Sequence, residues 1–467
     1  MERLAEYLDR DGAAEHLKVL AAQLGATEFA CVRNLDYVYC PTTLYALAPR
    51  VPPPLERIAA FVVDMDGTST TTEPLALHAL EYMVRRFTGR PTKPEWPGLD
   101  PQLDYPHVIG NSNFRHTEFL VERYREHLNR ESLCQAFLEA VCWTLACMDD
   151  PQRRRDVTHN AQHCGFGDLL DDADFRRLVD GDTVNADNVG TQVAPFVRRC
   201  GKAFRCEHLG ALVPAALDVY YMRYHSILRL IEEGRGAELS RELLGEGGRR
   251  LIEPMPGYEV FLPLIKGWLG PEIDGLYELL RDELLRGGSG DYPPTALDDA
   301  PPRLVRLTEH FQRHPAKFGL VTASISYEAH ASMREVIAVT GERVRSWPIA
   351  AEHRDRVAGR LADYRAAFDG FVNATDACEH RLKPHRDLYS LALQQMSIPK
   401  EDYSCCVGLE DTEPGIIALR AAGIGCAVAL PNRDTSRQDY SAATMVVRGG
   451  LPELILMQNL LLPQTQT

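Results

Sequence analysis

The stretch "FVVDMDGTSTTTEP", Phe61 to Pro74, sets two aspartates two residues apart at the end of an apolar run, then a glycine and a row of hydroxyls. Its opening, with "IAA" before it, reads as a short strand. The apolar character is continuous rather than alternating, which fits a parallel sheet covered on both faces. Side chains two apart on a strand share a face, so Asp64 and Asp66 can reach one point. Open parallel sheets bind ligands at the carboxyl ends of their strands. The residues that end each apolar run are therefore the ones to follow.

Outward from this stretch, the pattern after residue 303 repeats the same grammar. "KFGLVTA" reads as a strand followed by a helix from Tyr327, and "FDGFVNA" as a strand followed by a helix near Pro384. "YSCCVGL" precedes a helix through "GIIALRAAG", then come "IGCAVAL" and "ATMVV". Strands alternating with helices predict a doubly wound α/β sheet. The polar ends are Asp64 and Asp66, Thr322 with Ser324, and Glu410 with Asp411, while Lys383 stands at a helix start in "RLKPHRD". Crowded carboxylates repel unless a cation lies among them, and an all-oxygen set favours Mg²⁺ shared with a substrate phosphate. Lys383 and the Thr322 hydroxyl suit the remaining phosphate oxygens.

"DMDGT", "GLVTASIS", "RLKPHRDLY" and "CCVGLEDTEPGIIALRAAGIG" stand in the order of the four motifs of the haloacid dehalogenase-like (HAD) superfamily. The last stretch resembles its phosphoglucomutase/phosphatase branch. The resemblance covers about 60–75 and 303–431 and implies a Rossmann-like core. It implies that Asp64 is the nucleophile, taking the phosphoryl group as an aspartyl phosphate, and that Asp66 protonates the leaving oxygen and then activates water. Gly67 and Thr68 would line the turn beside the phosphate, and Thr322 and Lys383 would bind the phosphoryl group with help from Ser324. Asp64, the Asp66 carbonyl and Asp411 would hold Mg²⁺, with Glu410 as a ligand or behind one. Two positions depart from the pattern: Thr71 stands where an Asp is common, and Arg386 replaces a proline.

From Asp64 to Thr322 the chain runs 258 residues (322 − 64), far more than one strand-to-strand connection needs. Residues 73–302, mostly helical in pattern, are expected to be an inserted domain, which the resemblance identifies as a large cap. The core is expected at 50–72 and 303–467, with 1–50 as a helical extension packed on the core or on the cap. Within the insert, "HVIGNSNFRHTEF" offers Asn111 and Arg115 as substrate-reading residues. "HNAQHC" and "CGKAFRCEH" have soft-metal residue types, but their spacings fit no standard zinc finger.

The chain has 467 residues and a formal net charge of −15, which opposes non-specific nucleic-acid binding. No apolar run of about 18 residues suggests a membrane span. The charged start "MERLAEYLDRDGAAEHLKVL" lacks a signal-type core, and the 12 scattered cysteines read as reduced thiols, so a cytoplasmic location is expected. The expected function is a Mg²⁺-dependent phosphatase acting on a small phosphorylated metabolite. The alternatives are a phosphomutase and a regulatory protein that keeps the fold without turnover. Mutases of the resembling branch carry a His in the hinge; Ala76 occupies the aligned place, with His78 two further on, which favours hydrolysis. The oligomeric state is left open.

Overall fold

A computed structural model describes residues 7–35, 38–110, 112–270, 273–287, 292, 297–377 and 381–460. Eight strands lie among them: β1 (Phe29–Arg33), β2 (Thr42–Ala46), β3 (Ala60–Asp64), β4 (Lys317–Val321), β5 (Gly370–Val372), β6 (Cys406–Glu410), β7 (Cys426–Ala429) and β8 (Met445–Val446). The last six form one sheet of order β5-β4-β3-β6-β7-β8, parallel throughout. Every residue of β3, β6 and β7 is buried, as their unbroken apolar runs require. Asp64 ends β3 directly opposite Val321 of β4, and Ala60 pairs with Cys406 of β6. That register puts the ends of β3, β4 and β6 on one sheet edge. This is the doubly wound α/β architecture expected from the sequence.

The chain divides into two compact units. The one that holds all eight strands comprises Met1–Ser69, Pro254–Ala323 and Ile337–Thr467. The other comprises Thr70–Glu253 and Ser324–Val336 and is built from helices, the longest being Arg130–Cys147 and Leu209–Glu232. Its interior carries a buried ion pair, Arg153 to Asp218 at 2.6 Å, with the guanidinium 4.0 Å above the Tyr221 ring. Thr71, the departure from the family pattern, exchanges hydrogen bonds with Glu253: each residue's backbone N–H donates, one to the Glu253 carbonyl and one to the Thr71 hydroxyl, both at 3.0 Å. The two ends of this unit's long segment are thereby tied.

Two boundaries differ from expectation. The insert was expected to run to 302, yet the chain returns to the sheet-bearing unit at Pro254. The reason is the helix Tyr258–Ile265, all of whose residues are buried: Phe261 packs edge-on against Phe61 of β3 at 5.2 Å and meets Phe318 of β4. Its single charged side chain, Glu259, is buried and accepts from Trp347 Nε1 at 3.0 Å, so the helix belongs to a core layer on every face. The N-terminal 50 residues were expected to be helical. Among the described residues of this segment only Arg10–Leu24 is; β1 and β2 then form an antiparallel hairpin. Each hairpin strand has a single fully buried residue, Val32 or Tyr45, so neither has the apolar run that marks the core strands. Part of the expected linker, 286–302, lies outside the described residues. The described cysteines are free thiols, and no described helix is long and apolar enough to cross a membrane.

Candidate active site

Asp64 closes β3 and is buried. The next turn is set by Gly67, whose φ of +80° lies in the left-handed region that side chains rarely enter. A Cβ there would sit 2.3 Å from Asp411 Oδ2, so only glycine lets the β3 turn and the β6 turn approach this closely. Ser69 steadies the turn by donating to the Asp64 carbonyl at 2.7 Å. Thr68 donates to Asp411 Oδ1 at 3.3 Å.

Lys383 reaches this cluster from the segment between β5 and β6. Its buried ammonium contacts Asp64 Oδ1 and lies 2.7 Å from Glu410 Oε1. Burial alone would lower its pKa, but Asp64 and Glu410 together hold it above the ordinary lysine range. Glu410, fully buried at the end of β6, is also the acceptor for Tyr389 Oη at 2.7 Å, the Thr412 hydroxyl at 2.9 Å and the Thr412 N–H at 3.1 Å. With both oxygens so engaged, Glu410 holds Lys383 and the β6 turn in place. Asp411 is oriented by Asn432, whose amide donates to Oδ2 at 2.8 Å, and its carbonyl accepts from Tyr440.

Thr322 follows β4 and is buried; its hydroxyl donates to Asp66 Oδ2 at 2.7 Å. The sheet edge thus assembles Asp64, Asp66, Gly67, Thr68, Thr322, Lys383, Glu410 and Asp411. Ser324 and Arg115 belong to the helical unit; Arg115 lies in its helix Asn113–Arg123, where its N–H donates to the Ser112 cap at 3.4 Å. Asn111 lies outside the described residues. Asn432, Tyr440 and Tyr389 escaped the sequence reading. Tyr389 sits inside the quoted "RLKPHRDLY", and Asn432 stands just past β7, where strand-end logic could have found it.

Asp64, Glu410 and Asp411 each place one oxygen within 4.8 Å of the others, and all three are buried; no second such group occurs among the described residues, the His/Cys stretches included. Burial first, then Glu410, push the Asp64 carboxyl well above its usual range, against the pull of Lys383. One ammonium is too little charge for three buried carboxylates, so the donor set fits a hard divalent cation. With Glu410 engaged elsewhere, Asp64 and Asp411 are the side chains that would hold it; the Asp66 carboxylate is not in that cluster.

No protein-family model matches the chain, and no curated protein sequence does. Among solved structures, the chain is similar to CbbY from Rhodobacter sphaeroides in complex with phosphate, at 14% identity and a TM-score of 0.40, over 85% of this chain and 96% of that one. It is similar to a β-phosphoglucomutase from Clostridium difficile at 12% identity and a TM-score of 0.36, over 85% and 93%. A HAD phosphatase from Thermococcus onnurineus matches at 13% identity and a TM-score of 0.28, over 85% and 96%.

Proposed function

We propose that this protein is a Mg²⁺-dependent phosphatase that hydrolyses a small phosphate monoester through a phosphorylated Asp64. The observation that supports this most is the placement of Lys383 between the Asp64 and Glu410 carboxylates, on the sheet edge where Asp66 and Thr322 also meet. An ammonium at the nucleophile's own oxygen stands where phosphoryl oxygens would arrive.

In the first step an Asp64 oxygen attacks phosphorus, the P–O bond to the leaving alcohol breaks, and Asp66 supplies the proton to that oxygen. Thr322, bonded to Asp66 Oδ2, orients the carboxyl for that transfer. Lys383 binds the phosphoryl oxygens as Asp64 gives up its carboxylate charge. In the second step Asp66, now a carboxylate, takes a proton from water, which attacks the phosphorus and releases phosphate and Asp64. Mg²⁺ held by Asp64 and Asp411 would supply charge neutralisation for the phosphate oxygens.

A phosphomutase is disfavoured by His78. Burial and the neighbouring Arg223, which donates to its Nε2 at 3.2 Å, depress its pKa to about 3, so the ring stays neutral and engaged. The test is phosphate release by the purified protein from a panel of phosphorylated metabolites with Mg²⁺. Release no greater than that of Asp64→Asn across the panel rejects the hydrolase reading.

A further inference from the structure

The N-terminal hairpin is absent from the catalytic reading, yet one of its side chains reaches the segment that presents Lys383. Tyr45 of β2 is buried, and with Val32, Leu47 and Ala421 it forms a small core that Ile417 and Ala30 complete. Ile417 and Ala421 belong to the helix Glu413–Ala421, which follows Asp411. The hairpin's ends are fixed to the same helix: buried Arg420 donates to the Ala48 carbonyl at 3.1 Å and to Glu28 at 2.8 Å, and the Ala48 N–H donates back to the Arg420 carbonyl at 2.9 Å. Tyr45 therefore extends from a well-anchored base.

Its hydroxyl lies 2.7 Å from Nδ1 of buried His385, with the two rings edge to face at 5.7 Å. Arg381 Nη2 donates to the same hydroxyl at 3.1 Å, and its guanidinium grips Asp387 through contacts of 2.6 and 3.0 Å. A guanidinium only donates, so the phenol oxygen accepts from Arg381 and its one hydrogen is free for His385 Nδ1. The phenol thus joins positions 381 and 385, with Lys383 midway between them.

We propose that Tyr45 is a positioning residue for Lys383, making the N-terminal hairpin part of the catalytic apparatus; the proposal rests on the hydrolase reading above. Before reaction Lys383 is held by the Asp64 carboxylate. Once Asp64 carries the phosphoryl group that carboxylate is consumed, Glu410, 2.7 Å away, is the anionic contact that remains, and aim at the phosphoryl oxygens depends more heavily on the backbone that presents the ammonium. The Tyr45–His385 contact holds that backbone and does not change during turnover.

The test is Tyr45→Phe, which keeps the ring in its core and removes only the hydroxyl. Hydrogen exchange of the 381–387 amides should quicken roughly five- to tenfold, the weight of one ordinary hydrogen bond, while β3 and β6 stay as protected as before. On a phosphate monoester kcat should fall by a similar factor with KM unchanged. In a Lys383→Met background the same substitution should change the residual kcat less than twofold. Unchanged exchange at 381–387, quickened exchange throughout the sheet, or the full kcat loss recurring without Lys383 would each overturn the proposal. If the unaltered protein releases no phosphate from any monoester, the hydrolase reading falls; the exchange result then decides the tether alone, quickening at 381–387 supporting it and no change overturning it.

Discussion

The hydroxyl of Thr322, on the turn after β4, donates to Oδ2 of Asp66, on the turn after β3, at 2.7 Å, across 256 positions of chain. One hydrogen bond thereby sets the direction of the carboxyl assigned to proton transfer. Thr322→Val keeps the shape and removes the donor. Hydrogen bonds to charged groups contribute about 1.5–3 kcal/mol, so kcat/KM should fall about 10–100-fold. Steady-state kinetics on alkyl and aryl phosphates checks this. The alkyl ester, whose leaving oxygen needs its proton more, should lose the larger factor.

Asp64 and Asp66 should fail differently. Asp64→Asn removes the nucleophile, and rapid-quench trapping with labelled substrate should find no phosphoprotein. Asp66→Asn leaves the nucleophile but slows attack by water, so label should accumulate when an aryl phosphate is used. General acid–base help is typically about 10²–10⁴-fold, and turnover of alkyl esters should fall within that range. Equal labelling of the two variants would exclude Asp64 as the phosphoryl carrier.

Chelation should abolish phosphate release and added Mg²⁺ should restore it. Asn432, which orients Asp411 through a 2.8 Å hydrogen bond, gives a sharper measurement. Partners behind a metal ligand typically matter by about 10–100-fold in metal affinity. Calorimetric titration of Mg²⁺ into Asn432→Ala without substrate should show a weakening of that size.

Gly415 sits in the first turn of the helix after β6, where an added Cβ would lie 1.8 Å from Glu410 Oε1. Gly415→Ala must therefore displace the carboxylate that holds Lys383 and Tyr389. Overpacking of this kind costs about 1–3 kcal/mol. Urea unfolding should report that loss, and kcat should fall with it because Lys383 loses one of its two anionic contacts.

Glu283 offers a pH signature away from the metal cluster. Its carboxyl, which accepts the Gly257 N–H at 2.6 Å, is raised from 4.5 to about 7, first by burial and then by Glu259. A carboxyl raised on folding binds its proton more tightly in the native state. Its stabilising contribution is complete below about pH 4.5 and disappears as pH rises through about 7. Urea midpoints between pH 5 and 8 should decline more steeply for the unaltered protein than for Glu283→Gln. Parallel slopes would contradict the assignment.

The core strands β3, β4 and β6 were legible because each is an apolar run closed by a polar motif, and β7 because its apolar run follows a helical period, patterns that one sequence displays locally. The residues at their ends were legible for the same reason: position along a parallel strand already states which edge a side chain occupies. The hairpin was not, since its strands are half exposed and lack a sustained run. The return at Pro254 was not, because the buried helix Tyr258–Ile265 reads the same in an insert as in a core layer.

Order and spacing along the chain therefore determined the sheet, its carboxyl edge and the acidic, hydroxyl and ammonium groups found there. Only the tertiary structure decided how those groups share the edge. It engages Glu410 with Tyr389, Lys383 and Thr412, brings Asn432 to Asp411, and sets Tyr45 against His385, 340 positions away. Such partnerships depend on strand register and on ångström-scale approaches such as that of Gly67 to Asp411. A hydrogen bond tolerates only a few tenths of an ångström and a narrow range of angles, and nothing in residue order carries that precision.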